Sequence, residues 1–496
     1  MLVAGACGWA LNDFPIASVS MRFLLSVNRV RVCLVLVFVA VSLRAANAAD
    51  TPPNIMLVIA DDMTWRDCEP YGNSEVRTPN LSRLASEGMC FDACFTSTAM
   101  CAPTRAQLYT GMWPVRNGAY PNHSAVRPGT KSIAHHLQKL GYRVGLTGKT
   151  HFKPKSSFPF ELFGGKDGAS DVAAIAEFVN RDRKQPYCLI VTSNEPHTPW
   201  NKGNADRYPP STLTLPPYLA DTRETRQALS QYYAEIEFLD GQVGGCLQVV
   251  EESGRKDDTI FLFTSEQGSA LPFAKWTCYD LGLKTGLIVR WPGHVESGSR
   301  TDAMVQYIDV LPTLLEAAGA DPTKVDAGRP GSPSGSNGFD GRSFLNVLLG
   351  RTATHRDLVF GAHTTRGTIN SSESYPIRSA RNRSIKYIRN LSHEIPFDNA
   401  NTKPGGGGGV WESWMAASGA TKARGEFYQH RPAEELYDLS KDPFELHNVI
   451  ADPQYAAVKR ELSSELDAWM RQQGDKGVAT EMRATDRQKV PGKRKR

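Results

Sequence analysis

Apolar residues follow two rhythms along this chain. Continuous apolar runs rich in β-branched residues occupy Asn54–Ala60 (NIMLVIA), 142–147, 187–193 and 259–265, and each reads as a strand buried on both faces. Between them lie segments with helical spacing and helix punctuation. Thr78 offers an N-cap with Pro79 at the first helical position and Gly88 beyond the end; a short helix at 103–109 precedes Gly111, and longer ones fit 171–180 and 224–251. Strands alternating with helices predict an α/β fold with a mostly parallel central sheet flanked by helices, and ligands beyond the carboxyl ends of its strands. The polar pattern points to the same ends. Asp61-Asp62 follow the first strand, Lys149 and His151 the second, His197 the third and Glu266-Gln267 the fourth.

The rhythm changes after residue 328. A Gly/Pro/Ser stretch at 328–338 reads as a linker or surface loop, shorter strand-like runs fall at 357–362 and 384–389, and an amphipathic helix fits 456–473. These predict a catalytic domain over 50–350 and a smaller C-terminal α/β subdomain over 351–485. A glycine run at 405–409 reads as a flexible loop tip, and 486–496 as a basic, solvated tail.

The N-terminus adds a compartment. An apolar run at 32–43 behind Arg22, Arg29 and Arg31, with Ala46-Asn47-Ala48 after it, has the form of a signal peptide over 1–48, its true start at Met21. The run is short of the roughly 18 residues that a membrane span requires, so no stable membrane anchor is expected. Export to the periplasm or medium implies oxidising surroundings. Seven cysteines remain beyond residue 48, an odd number: Cys68, Cys90, Cys94, Cys101, Cys188, Cys246 and Cys278. One chemically distinct cysteine would leave six able to pair. The formal net charge of +5 resides largely in the tail, so nucleic acid is not expected as a partner.

Two groups of residues stand out for their chemistry. Asp61 and Asp62 are like charges side by side at the end of a buried strand; with Glu266 and Gln267 they supply the oxygen ligands that calcium prefers. A helix cap or surface turn is the ordinary reading of an Asp pair taken alone. Cys101 precedes a predicted helix N-terminus, where an unmodified thiolate would be a plausible nucleophile, the plain alternative being half a disulfide. A lone Lys or His is usually a solvated or structural residue, and Trp200, Trp276 and Trp291 suit a core role as well as a sugar platform.

Cys101-x-Pro103-x-Arg105, followed by a helix ending in Thr110-Gly111, resembles the signature of the formylglycine-dependent sulfatase family within the alkaline-phosphatase-like superfamily. Further blocks resemble the family in its order. They are Asp61-Asp62, Gly148-Lys149-Thr150-His151, Pro196-His197-Thr198-Pro199-Trp200, Lys275 with Tyr279-Asp280, Leu287-Ile288-Val289-Arg290-Trp291-Pro292, and Glu435-Leu436-Tyr437-Asp438-Leu439 before Asp442-Pro443. The resemblance implies that a formylglycine-generating maturation enzyme oxidises Cys101, which removes it from the pairing count. It implies a calcium ion, rather than magnesium, held by Asp61, Asp62, Cys101 as formylglycine, Glu266 and Gln267. One hydroxyl of the hydrated aldehyde would attack sulfur, and the second would lose its proton and expel sulfate. Arg105 would hold the hydroxyls, Lys149 and Lys275 the sulfate oxygens, His197 would protonate the leaving oxygen, and His151 would assist the second proton transfer. The substrate class implied is a sulfated carbohydrate.

The chain departs from the family at Glu266-Gln267, where many sulfatases carry Asp followed by Asn or His. The extra methylene in each sets the loop backbone further from the metal. This Ser265-Glu266-Gln267-Gly268 form resembles bacterial sulfatases near those acting on N-sulfated glucosamine. Two other readings compete: a phosphodiester or phosphonate hydrolase of the same superfamily, and a non-catalytic relative that binds sulfated glycans.

Overall fold

A computed structural model describes residues 52–165, 168–331 and 336–488, and residues from Pro53 onward form one compact unit. The leader at 1–48 lies outside the described residues, as do 489–496 of the tail. Among the described residues nine strands build the main sheet: β1 (Asn54–Ala60), β2 (Met89–Phe95), β3 (Arg143–Gly148), β4 (Glu161–Phe163), β5 (Tyr187–Thr192), β6 (Thr259–Ser265), β7 (Lys284–Arg290), β8 (Ser299–Thr301) and β9 (Val305–Gln306). Their order is β4-β3-β5-β1-β6-β7-β2-β8, with β9 also on β2. From β4 to β6 every pairing is parallel, as is β2 with β8 and β9; β7 runs antiparallel to both β6 and β2.

Strand β1 shows why the centre reads as unbroken apolar sequence. Met56, Val58 and Ala60 pack into one hydrophobic cluster, and Ile55, Leu57 and Ile59 into the cluster on the opposite face. The period-2 alternation sends neighbours to opposite sides, and both sides are roofed by helices, so every position is apolar. Helices α1 (Pro79–Glu87), α2 (Cys101–Thr110), α3 (Val172–Asn180), α4 (Arg223–Glu252) and α5 (Val310–Ala317) form the roofs. α1, α3 and α4 contribute to the first cluster, α2 and α5 to the second. Helix α2 differs from its predicted extent: it starts at Cys101 itself, and all ten of its residues are buried, so no amphipathic stripe marks its start in the sequence.

A second sheet of four antiparallel strands follows: β10 (Val359–His363), β11 (Ile377–Arg381), β12 (Ile385–Asn390) and β13 (Glu434–Asp438). The helix Ala456–Gln473, called α6 here, covers one face through Leu462, Leu466 and Trp469. The other face joins the main core, because Ile377, Ile388 and Tyr437 share a cluster with Met56 and Val58. The segment 328–338 is held in place in its described part: Arg116 donates to the carbonyls of Arg329 (2.6 Å), Pro330 (3.1 Å) and Gly338 (2.8 Å). The tail, read as solvated, begins docked. Arg487 donates to the carbonyls of Gly118 and Ala125 at 3.0 and 2.8 Å. The seven cysteines are all buried free thiols, and none is paired with another. No helix among the described residues is long and apolar enough to cross a membrane.

Candidate active site

The parallel register assembles the site. β1 and β6 run in step from Asn54 opposite Thr259 to Ala60 opposite Ser265, so the next residues, Asp61 and Glu266, emerge side by side. The ladder continues past the strand ends: Glu266 N–H donates to the Ala60 carbonyl and Asp61 N–H to the Glu195 carbonyl, both at 2.9 Å. On the far side, β3 and β5 match Gly148 with Thr192, which brings Lys149 to the same edge. Gly148 is obligatory there, since its φ is +90° and a Cβ would lie 2.1 Å from the Thr192 carbonyl oxygen. The Lys149 carbonyl is then fixed by Thr192 Oγ1 (3.0 Å) and Arg105 Nη1 (2.7 Å).

Three buried carboxylates meet three cations at these ends. Asp61 pairs with Lys149, Asp62 with Lys275 at 2.5 Å, and Glu266 with Arg105. His197 Nε2 stands 3.5 Å from Asp62, while its Nδ1 lies 2.6 Å from the Thr198 carbonyl oxygen. Cys101 opens α2 between these groups, its sulfur 3.7 Å from Asp61 Oδ1 and 3.5 Å from Gln267 Nε2. Nine of the ten sequence-predicted residues therefore join one connected cluster; His151 approaches from the side, lining the same cavity as Cys101, Lys149 and Lys275.

Electrostatics sorts these groups. Burial opposes ionisation of Asp61, but Lys149, then His197, Arg105 and Lys275, together hold its carboxyl well below the usual range. Burial likewise opposes the charge on Lys149 and Lys275, and their partners Asp61 and Asp62 override it, so both ammonium pKa values rise. Cys101 behaves in the opposite way. Burial, reinforced by Glu266, pushes its thiol up, despite the helix N-terminus and the two lysines. The unmodified thiolate nucleophile that the sequence allows is thus disfavoured, because the carboxylates around it repel a second anion. For His151, burial and then Lys149 bring the pKa down to about 2, so the ring is neutral at any working pH.

The donor set fits a divalent cation. One oxygen each from Asp61, Asp62 and Glu266 and the Cys101 sulfur lie within 4.8 Å of one another. The Gln267 amide plugs this space with its NH2 group, donating to Asp62 at 2.5 Å and Glu266 at 3.3 Å, while its Oε1 is buried and without a partner among the described residues. Turning that amide about its axis presents an oxygen of the same shape, which is what a hard cation requires. Glu266, one methylene longer than the family's usual residue, shares its carboxylate with Arg105.

The cavity over the cluster measures 1110 Å³. Its outer wall comes from Ile369, Asn370, Ala400, Asn401 and 403–408. The glycine run expected to be a free tip instead packs as this wall, with Gly405, Gly407, Gly408 and Gly409 all left-handed. Trp200 and Trp276 line the cavity at 8% and 6% exposure, whereas Trp291 belongs to the core. Sequence reasoning missed Asn122, His123 and Asn401. Asn122-His123-Ser124 reads as a glycosylation sequon, yet Asn122 is 4% exposed and its Oδ1 accepts from Ala102 N–H at 3.3 Å. Of the three, His123 alone carries a conformational signal. Asp62, His123, His151, Trp276 and Asn370 are five of the seven described non-glycine residues with positive φ, and strained backbone gathers at functional sites.

A helix-borne cysteine, three carboxylates and three cations at the strand ends of an α/β sheet define an enzyme site for a small oxyanion ester. The comparisons agree. The sulfatase family model matches residues 53–320, and the model of the N-sulphoglucosamine sulphohydrolase C-terminal region matches 268–403 and 424–472. An ulvan-active sulfatase of Formosa agariphila is 33% identical over 444 residues, 87% of this chain and 83% of its own length. Human N-sulphoglucosamine sulphohydrolase is 27% identical, over 84% of this chain and 90% of its own. Among solved structures, a protein in complex with its substrate D-glucosamine-2-N,6-O-disulfate superposes with a TM-score of 0.66 at 20% identity, over 86% of this chain and 99% of its own. The chain belongs to the sulfatase family, and it is a sulfuric ester hydrolase.

Proposed function

We propose that this enzyme removes sulfate from a sulfated carbohydrate outside the cytoplasm, using formylglycine formed from Cys101 and a calcium ion at the carboxylate cluster. The observation that carries the reading is the charge balance of the cluster: three carboxylates already matched by three cations. A divalent cation entering with a sulfate ester, which carries one negative charge, leaves a single positive charge that favours ionisation of the attacking hydroxyl, and it frees the Lys149 and Lys275 head groups from Asp61 and Asp62 to hold sulfate oxygens. When bound, the cation would supply positive charge that lowers the pKa of the attacking hydroxyl and neutralises sulfate.

This chain's residues carry the rest. Asp61, Asp62, Glu266 and the turned Gln267 amide hold the cation, and Arg105 orients the formylglycine hydroxyls through its Nη2, which has no partner among the described residues. One hydroxyl gives up its proton to water and forms the bond to sulfur as the bond from sulfur to the sugar oxygen breaks, and His197 protonates that leaving oxygen. The second hydroxyl then passes its proton to His151, the C–O bond to sulfate breaks, and the aldehyde returns. The raised thiol pKa of Cys101 explains why oxidation matters: the buried thiol ionises poorly, whereas a hydroxyl beside a divalent cation ionises readily. The cavity exceeds what a single sulfate ester needs, which supports a sugar chain as substrate. The names of its relatives support the same class, with ulvan and N-sulfated glucosamine as the first compounds to screen.

The test is mass spectrometry of the Cys101 peptide, from protein exported by a host with the maturation enzyme, alongside turnover of an aryl sulfate and an aryl phosphodiester. An aldehyde at Cys101 with sulfate preferred supports the reading. An unmodified Cys101 in protein that still binds sulfated glycans replaces it with a binding role, and a preference for the phosphodiester replaces it with that activity.

A further inference from the structure

The loop carrying Asn122 and His123 belongs to none of the family blocks, yet it is built into the site from two sides. Asn122 accepts from the first turn of α2 at Ala102, one residue past Cys101, and its own carbonyl accepts from Gln488 Nε2 at 2.8 Å. His123 Nδ1 then meets His151 Nε2 at 2.8 Å, with ring centroids 4.6 Å apart and tilted by 46°. Both residues hold left-handed backbone, at φ of 57° and 46°, and both line the cavity with Cys101. The other ring nitrogen of His151, Nδ1, is buried and has no hydrogen-bond partner among the described residues. So much strain concentrated on one histidine pair points to function.

We propose that His123 is a positioning residue for His151: its Nδ1 accepts the Nε2–H of His151 and fixes the tautomer whose Nδ1 keeps a free lone pair to take a proton. This rests on the reading of His151 as proton acceptor in sulfate release. The reverse tautomer would leave His151 Nδ1–H as a buried donor with no acceptor, the less favourable arrangement. The charged groups facing the pair are Lys149, Lys153 and Lys275 around His123, and Lys149, Arg105 and the single carboxylate Asp61 around His151. Burial, with this excess of positive charge, lowers the pKa of both rings, and between two neutral rings one shared N–H decides which nitrogen of His151 is basic. In the step itself, the proton of the second formylglycine hydroxyl moves to His151 Nδ1. The C–O bond to sulfate breaks with its electron pair leaving on sulfate, and C=O re-forms. The resulting imidazolium keeps its Nε2–H on His123 and returns the other proton to water. This is the arrangement in which a base is held by a third group.

The test uses the full-length matured enzyme and an aryl sulfate small enough to ignore the outer wall. His123→Phe removes the acceptor, and His123→Asn places an amide oxygen near the Nδ1 position. Loss of an orienting partner of this kind costs roughly 10- to 100-fold. The Phe variant is therefore expected to lose that much kcat at nearly unchanged KM, and the Asn variant to recover most of it. In 15N-labelled protein, His151 should change from one tautomer to a mixture in the Phe variant alone. Wild-type kcat and an unchanged His151 tautomer in His123→Phe would overturn the proposal, and so would equal losses in both variants with raised KM, which mark a substrate contact. Wild-type protein without formylglycine or turnover would instead remove the underlying reading, a result visible before any variant is made.

Discussion

Two ion pairs in this molecule are equally and completely buried, and they are finished in different ways. Arg378 on β11 binds Asp475 through two nitrogens and donates from Nη1 to the carbonyls of His363 and Ile377, both at 2.9 Å, while Asp475 also accepts from Gly477 N–H at 3.0 Å. Every nitrogen of the Arg378 guanidinium and both Asp475 oxygens have a partner. Arg105 and Glu266 are sealed from solvent to the same degree, yet Arg105 Nη2, the neighbouring Gln267 Oε1 and His151 Nδ1 have none among the described residues. Buried polar groups left open are unfavourable in a folded protein unless something else completes them. The first pair is a clamp that ties the second sheet to the chain beyond α6. The second is a site waiting for charge from outside the chain. The difference teaches that burial and ion pairing do not separate structure from function here; single open groups occur elsewhere, as on Arg290, and what marks the site is that several gather around one carboxylate cluster.

The sharpest way to separate the two regions is to remove Cys101. Cys101→Ala is expected to lower kcat/KM on a sulfate ester on the order of 10⁵-fold or more while leaving the melting temperature near that of the parent, measured by steady-state kinetics and calorimetry. A large loss of stability would mean that this residue belongs to the scaffold. Next in size are the arginines. Arg378→Met strands a buried carboxylate and should cost about 3–5 kcal/mol in denaturant unfolding, with kcat retained in the folded fraction. Arg105→Met should cost less stability when calcium is present, because Lys149 and the ion remain near Glu266, but it should abolish turnover. Equal unfolding costs would erase the contrast.

Removal of the cation comes third. Chelation should stop turnover, calcium should restore it, and calcium at about 100 times its Kd should add about 2.7 kcal/mol of stability, seen as a rise in melting temperature that Gln267→Leu weakens. The smallest effect concerns Glu195, whose carbonyl accepts from Asp61 N–H. Burial first, and then Glu235, raise its carboxyl to about 8. A raised carboxyl pKa means the folded protein keeps a proton that the unfolded chain loses, so its contribution is complete below the unfolded value near 4.5 and is lost as pH climbs to about 8. Melting temperature should therefore fall with pH across that window, and Glu195→Gln should flatten the fall. An unchanged slope would place the pH response elsewhere.

The sequence by itself determined the layout. Apolar runs buried on both faces can only be central strands between two layers of helix, so NIMLVIA and its counterparts at 187–192 and 259–265 announced a parallel sheet, and the polar residues just past them announced its ligand edge. Asp61, Asp62, Glu266, Gln267, Lys149 and His197 were legible for that reason, and Cys101 and Arg105 through the motif around them. Tertiary structure alone decided three things. It brought the 400–408 glycine run from far along the chain to wall the cavity, because the conformation of a glycine run is set by what packs against it and not by its own propensity. It turned Asn122-His123-Ser124 from a surface sequon into part of the site, since a buried hydrogen bond from Ala102 outweighs the loop's polar character. It also set the ionisation of Cys101, which depends on the carboxylates gathered around it, residues that lie tens to more than a hundred positions away in the chain and meet only when the strands take their register.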